Sequence, residues 1–157
     1  MRDEHCWHMW YASSTGFAIV NHRPEPLYII KYANSSNGID WVRNNITCIH
    51  PEDPHEANAR ASVIKEGDIF KMWYAYRYSE DYRDGQGSYR IGYAQSTDAV
   101  NWERRDELAG IQYSKTGWDS KMQTYPCVVK HHDKKYLFYN GNGFGKTGIG
   151  YAVYKNN

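Results

Sequence analysis

The sequence predicts an all-β protein, a partial β-propeller of about two and a half four-stranded antiparallel blades. Three observations carry this. Alternating, aromatic-rich runs recur along the chain, and no run shows sustained helical periodicity. HMWYAS returns as KMWYAY and, more loosely, as YLFYNG. IIKYANSSNGIDWVR returns as RIGYAQSTDAVNWER, and its first half as GIGYAVY. The period is roughly sixty residues, which accommodates a four-stranded blade with long loops.

In chain order, strands are expected at residues 6–13 and 28–34, with a loop around Pro24 and Pro26 between them. A turn over SSNGID leads to a short strand starting at Trp41. Residues 50–58 (HPEDPHEAN) carry two prolines and read as an irregular connection. The pattern then restarts: strands at 60–65 and 69–77 flank the turn Glu66-Gly67-Asp68, and a polar loop leads to a strand at 89–95. The turn STDAVN precedes an outer strand at 102–104. The last repeat has strands at 127–130 and 135–140 around the turn His132-Asp133-Lys134, then one at 148–154.

The repeats run roughly 5–49, 50–110 and 111–157, within one domain covering 1–157. The first lacks an inner strand and the last an outer one, so the propeller does not close on itself. Open strand edges invite pairing with another chain. The expected assembly is a homodimer through the open propeller edges, and the alternative is a capped monomeric fragment.

Composition narrows the partners. A formal net charge of +1 gives no argument for nucleic acid or an anionic membrane. Fifteen Tyr and six Trp with a mean hydropathy of -0.84 suit a β-protein whose clefts handle a hydroxylated ligand, although Tyr and Trp favour strands in any case. Three widely spaced cysteines argue against a disulfide scaffold and for a reducing compartment. No apolar run has the length of a membrane span, and the N-terminus lacks the apolar core of a signal peptide. The expected location is cytoplasmic.

Two acids stand just before inner strands, Glu56 and Asp119. Glycoside hydrolysis needs two carboxyl groups flanking the glycosidic oxygen, one protonated and one ionised. The alternative is that both are solvated loop acids, or pair with Arg60 and Lys121. Arg60 and Arg77 are candidates for binding sugar hydroxyls or holding an acid ionised. Trp118 and Tyr125 flank Asp119 and offer stacking platforms for a sugar ring, with core packing the competing role for Tyr125. His55 neighbours Glu56 and is a further ligand-binding candidate. Trp41 and Trp102 recur at one repeat position and are assigned to blade packing.

His5, Cys6 and His8 are metal-capable donors without a second ligand pair at a recognisable spacing, so no metal is expected. No cofactor is expected either. Gly143, Gly145 and Gly148 fit G-x-G-x-x-G, but a strand follows rather than a helix, which removes the dinucleotide reading.

The motifs MWYA, IGYAxSxDxxxW, GWDSxMxxYP and YNGNGFGKTGIGYA resemble the five-bladed β-propeller glycosidase superfamily, which includes glycoside hydrolase families 43, 32, 62 and 130. The nearest likeness is to a glycosidase-like bacterial branch, and it covers the C-terminal half of a full-length member. The resemblance implies a saccharide ligand, hydrolysis or transfer of glycosyl groups, Glu56 as general acid and Asp119 as a second carboxylate. The first two blades, which supply other acids in the family, are absent. A non-catalytic module acting as a sugar-binding or scaffolding protein is the alternative reading.

Overall fold

The computed structural model describes residues 1–83 and 85–154. Among these residues ten strands form three antiparallel sheets. The first holds β1 (Trp7–Val20), β2 (Arg23–Ser35) and β3 (Thr47–Ile49). The second holds β4 (Glu56–Glu66), β5 (Ile69–Tyr78), β6 (Arg90–Ser96) and β7 (Glu103–Arg104). The third holds β8 (Thr124–His131), β9 (Lys134–Asn140) and β10 (Ile149–Tyr154). Each sheet is a meander in sequence order, as repeated blades require.

Strand alternation splits β5 between two cores. Met72 and Tyr74 pack toward the first sheet with Ile30, Tyr32, Cys48 and Ile49. Trp73 packs toward the third with Val128, Leu137 and Tyr139. The middle sheet is therefore covered on both faces, which explains why IFKMWYAYR is apolar almost throughout. Polar contacts fix the same seams. The indole N–H of Trp10 donates to the Ala99 carbonyl at 3.0 Å. The Val128 N–H donates to Ser62 Oγ at 2.8 Å, and Trp73 Nε1 donates to Tyr154 Oη at 2.6 Å.

The repeat is visible in its turns. Asn37 Oδ1 accepts the N–H groups of Ile39 and Asp40, and Asp98 Oδ1 accepts those of Val100 and Asn101. Gly38 and Ala99 take positive φ, 77° and 66°, at the same place in the two turns.

Three expectations need correction. Residues 24–26 are strand, because the first hairpin turns at Asn21 and His22, both with positive φ. β3 covers β2 only around Ile30 and Lys31, so the outer edge of β2 is open beside both prolines. The carbonyl of Pro26 points to that edge, where it accepts Arg77 Nη2 at 2.6 Å. A missing N–H there costs no ladder bond. The segment at Trp41 makes only an isolated bridge, Asn34 to Val42, and the third strand of the sheet is instead Thr47–Ile49. The connection at 50–58 ends early, since β4 already starts at Glu56.

Candidate functional site

β4 and β8 open their sheets in the position that lines a propeller axis, whereas β1 matches β5 by repeat and stands second in its blade; β4 packs against both β1 and β8. β4 and β8 carry the same irregularity: pairing with the next strand shifts between Ala59 and Ser62, and again between Thr124 and Cys127. Inside each bulge one non-glycine residue takes the left-handed conformation, Arg60 at φ 55° and Tyr125 at φ 54°. A bulge re-aims the side chain it carries. Both side chains are exposed and line one cavity of about 560 Å³. Trp10, Phe138, Tyr139 and Asn140 complete most of its wall. The volume is in the range of small-ligand sites.

Superposing the two bulges aligns Glu56 with Lys121 and Asp119 with Pro54, so the two acids do not occupy equivalent places. Neither lines the cavity. The Glu56 side chain is 0 % exposed. Arg104 Nη1 donates to Glu56 Oε1 at 2.7 Å, and the Glu52 N–H donates to Oε2 at 3.0 Å. Burial pushes the Glu56 carboxyl above its ordinary value, against the opposing pull of the Glu52 N–H and Arg104. Arg104 is itself held more strongly protonated, because Tyr74, Asp106 and Glu56 surround it and outweigh its own burial. The two directions describe one geometry: the ion pair forms, and full burial of the carboxylate costs more than the pair returns to Glu56.

Asp119 is also buried. Tyr139 Oη and Gln123 Nε2 donate to its Oδ2 at 2.8 and 3.1 Å. Burial alone raises its carboxyl, but the nearby Ser114 hydroxyl and the hydrogen bonds from Tyr139 and Gln123 outweigh that and leave it lowered. Its Oδ1 is buried without a hydrogen-bond partner. Because Tyr139 lines the cavity, Asp119 lies one layer behind the wall.

The remaining candidates divide. The partner of Glu56 is Arg104, not Arg60. Arg77 is 1 % exposed and fully engaged: it donates to Pro26 O and Ser79 Oγ and lies over the ring of Tyr82, 4.0 Å from its centroid. It fastens the first hairpin to the second sheet. His55 is half-exposed and pairs with Glu80 across the loop. Trp118 stacks on Tyr139 with centroids 5.2 Å apart and faces Gly141 and Gly150, so it packs behind the wall. The glycine-rich turn at 141–148 is pinned by Asn142, whose Oδ1 accepts the N–H groups of Lys121 and Met122.

The sequence missed Arg104, Trp10 and Phe138. Arg104 and Trp10 reach their places through pairings distant in sequence. Phe138 lies in YLFYN, where nothing local distinguishes a cavity wall from a core. Among the described residues, one group could hold a metal: Asp3, Cys6 and His8, with donor atoms within 4.8 Å. His8 Nε2 lies 2.9 Å from Asp3 Oδ2, and Nδ1 lies 2.7 Å from Tyr32 Oη, contacts that satisfy the imidazole without a cation.

No protein-family model matches the chain. An uncharacterized protein of Mycobacterium tuberculosis, MT1551, is 31 % identical over 99 % of this chain and 49 % of its own length. The chain thus spans about half the length of the curated relatives it matches. Among solved structures, Zg3597, a family 117 glycoside hydrolase from Zobellia galactanivorans, is similar with a TM-score of 0.76 at 18 % identity, over 98 % of this chain and 49 % of that one. A thermostable family-43 glycoside hydrolase matches with a TM-score of 0.66 at 15 % identity, over 94 % and 49 %. The family 32 β-fructofuranosidase BmSUC1 of Bombyx mori has a TM-score of 0.66 at 15 % identity, over 97 % and 32 %. The chain is all-β and carries part of the β-propeller glycosidase fold.

Proposed function

We propose that the chain is a saccharide-binding module of glycosidase-like propeller type, with its ligand in the axial cavity beside Arg60 and Tyr125. One observation carries this reading: the bulges of β4 and β8 turn a guanidinium and an exposed phenol ring into one aromatic-walled cavity where the first strands of the sheets meet. An exposed tyrosine supplies a flat apolar face for a pyranose ring and a hydroxyl for its rim. Among the described residues the polar side chains on its wall include Arg60, Tyr125, Tyr139 and Asn140, which suit hydrogen bonding to hydroxyls. A glycan array followed by titration calorimetry tests it. Binding is expected for the native chain and a loss of about tenfold for Tyr125→Ala, the equivalent of ~1.4 kcal/mol. An array that retains no glycan would refute the reading.

A hydrolytic reading draws on a different observation. Burial raises the carboxyl of Glu56 and hydrogen bonds lower that of Asp119, opposite directions that an acid and an ionised partner would also show, although neither carboxyl lines the cavity wall. It needs Glu56 to leave its burial against Arg104. Release of nitrophenol from aryl glycosides, abolished by Glu56→Gln with binding retained, would favour it over simple binding.

A further inference from the structure

We infer that the axial cavity selects saccharides that carry an oxyanion, a uronate carboxylate or a sulfate, and that Arg60 is the selecting residue. This rests on the cavity being a saccharide site.

Four arginines are held by partners: Arg77 by Pro26 and Ser79, Arg83 by Glu25, Arg104 by Glu56 and Asp106, and Arg105 by Glu103 and Glu107. Arg60, like Arg23 and Arg43, is not, and it is the one of these three that lines the cavity. Among the described residues, Arg60 has no hydrogen-bond or ion-pair partner. Among the described residues it is the one cationic side chain of the cavity, and no anionic group of theirs lines it. The cavity therefore presents uncompensated positive charge to whatever enters.

Its backbone adds a second observation. A non-glycine residue at φ 55° adopts a conformation that side chains rarely take, at a cost of order 1 kcal/mol. In β4 that cost falls on a long cationic residue, and the bulge directs it into the cavity. Tyr125 accepts the same conformation in β8 and supplies the opposing ring. A planar guanidinium matches two oxygens of a carboxylate or sulfate with parallel N–H donors. The rings of Trp10, Tyr125 and Phe138 suit the apolar faces of the sugar that carries the anion. A neutral sugar would use the rings and leave the guanidinium's fork matched only by hydroxyls.

The test uses the full chain and an array of neutral, uronate-bearing and sulfated oligosaccharides, with calorimetry on the retained compounds at two salt concentrations. Cys127 gives an independent readout, since it lines the cavity and is exposed. Its maleimide labelling, followed by mass spectrometry with Cys6 as internal reference, should slow when the cavity is filled. The expected result is at least tenfold tighter binding of an anionic sugar than of its neutral counterpart, weakening with salt. Arg60→Asn should remove the preference, because asparagine tolerates the left-handed conformation while carrying no charge. Arg60→Lys should keep part of it. Preference for uronate or for sulfate identifies the source of the oxyanion, and either supports the inference. Equal affinity for neutral and anionic partners, or a preference that survives in Arg60→Asn, overturns the inference and leaves the saccharide reading standing. Retention of no glycan of any class overturns both.

Discussion

Arg104→Met isolates the buried charge cluster of the middle sheet. Arg104 is 13 % exposed at its side chain and reaches Glu56 at 2.7 Å and Asp106 at 2.7 Å. The two acids lose unequally when it is removed. Asp106 keeps the Tyr74 hydroxyl at 2.7 Å and the Tyr93 N–H at 3.0 Å on Oδ1, and its side chain is 25 % exposed. Glu56 keeps one N–H, that of Glu52, and has no exposure to water. Most of the penalty is therefore a single uncompensated buried carboxylate. Breaking such a pair costs about 3–5 kcal/mol, and partial solvation of Asp106 argues for the lower end, ~3 kcal/mol. For a domain of this size that is a fall in Tm of about 6–12 °C. Equilibrium urea unfolding measures it directly. Adding Glu56→Gln to Arg104→Met should restore part of the loss, because it removes the stranded charge. Acid should act the same way. A carboxyl raised in the folded state contributes stability that is fully present below its unfolded value and is lost as pH rises through the folded one. The deficit of Arg104→Met should therefore shrink as pH falls from 8 toward about 4.5. A cost below about 1 kcal/mol, or a double variant no better than Arg104→Met, would refute the reasoning.

The other seams give further expectations. Glu66 binds Lys71 of its own sheet and Lys130 and Lys135 of the third. Burial alone would raise its carboxyl, but these three ammonium groups outweigh that and hold it at about 2. Its contribution is present above the ordinary glutamate value and lost as pH falls toward about 2, so native chain and Glu66→Gln should differ in Tm at pH 7 and converge in strong acid. Gly150→Ala should destabilise by about 1–3 kcal/mol in urea, since an added Cβ would lie 2.5 Å from Trp118. Thiol labelling of the native chain should proceed at exposed Cys127 and be blocked at Cys48, which is 3 % exposed, until denaturant is added; equal rates would contradict the packing of the first core.

Much of this fold was legible because it repeats. MWYA marks the strand whose alternate residues enter two cores, and the paired turns at Asn37 and Asp98 use one hydrogen-bond pattern twice. What failed was local reading of residues governed by distant neighbours. Pro24 and Pro26 look like a loop, and only the limited reach of β3 makes them compatible with a strand. Glu56 and Asp119 look like equivalent acids, and only the bulge register separates them. Arg60 and Tyr125 stand out in the sequence by residue type, yet the reason they meet, a left-handed residue in each inner strand, leaves no recognisable mark in ARAS and TYPC. Arg104 is two residues from a turn and reads as an ordinary surface charge, because the carboxylate it serves is forty-eight positions away.

Among the described residues the sheets hold three, four and three strands, and each keeps its own hydrogen-bonded meander and twist. The β4–β8 and β1–β4 contacts beside the cavity also set the angle between neighbouring sheets. Cavity shape and inter-sheet angle are thus one geometric quantity: a substitution that loosens a seam between sheets changes the width of the cavity with it.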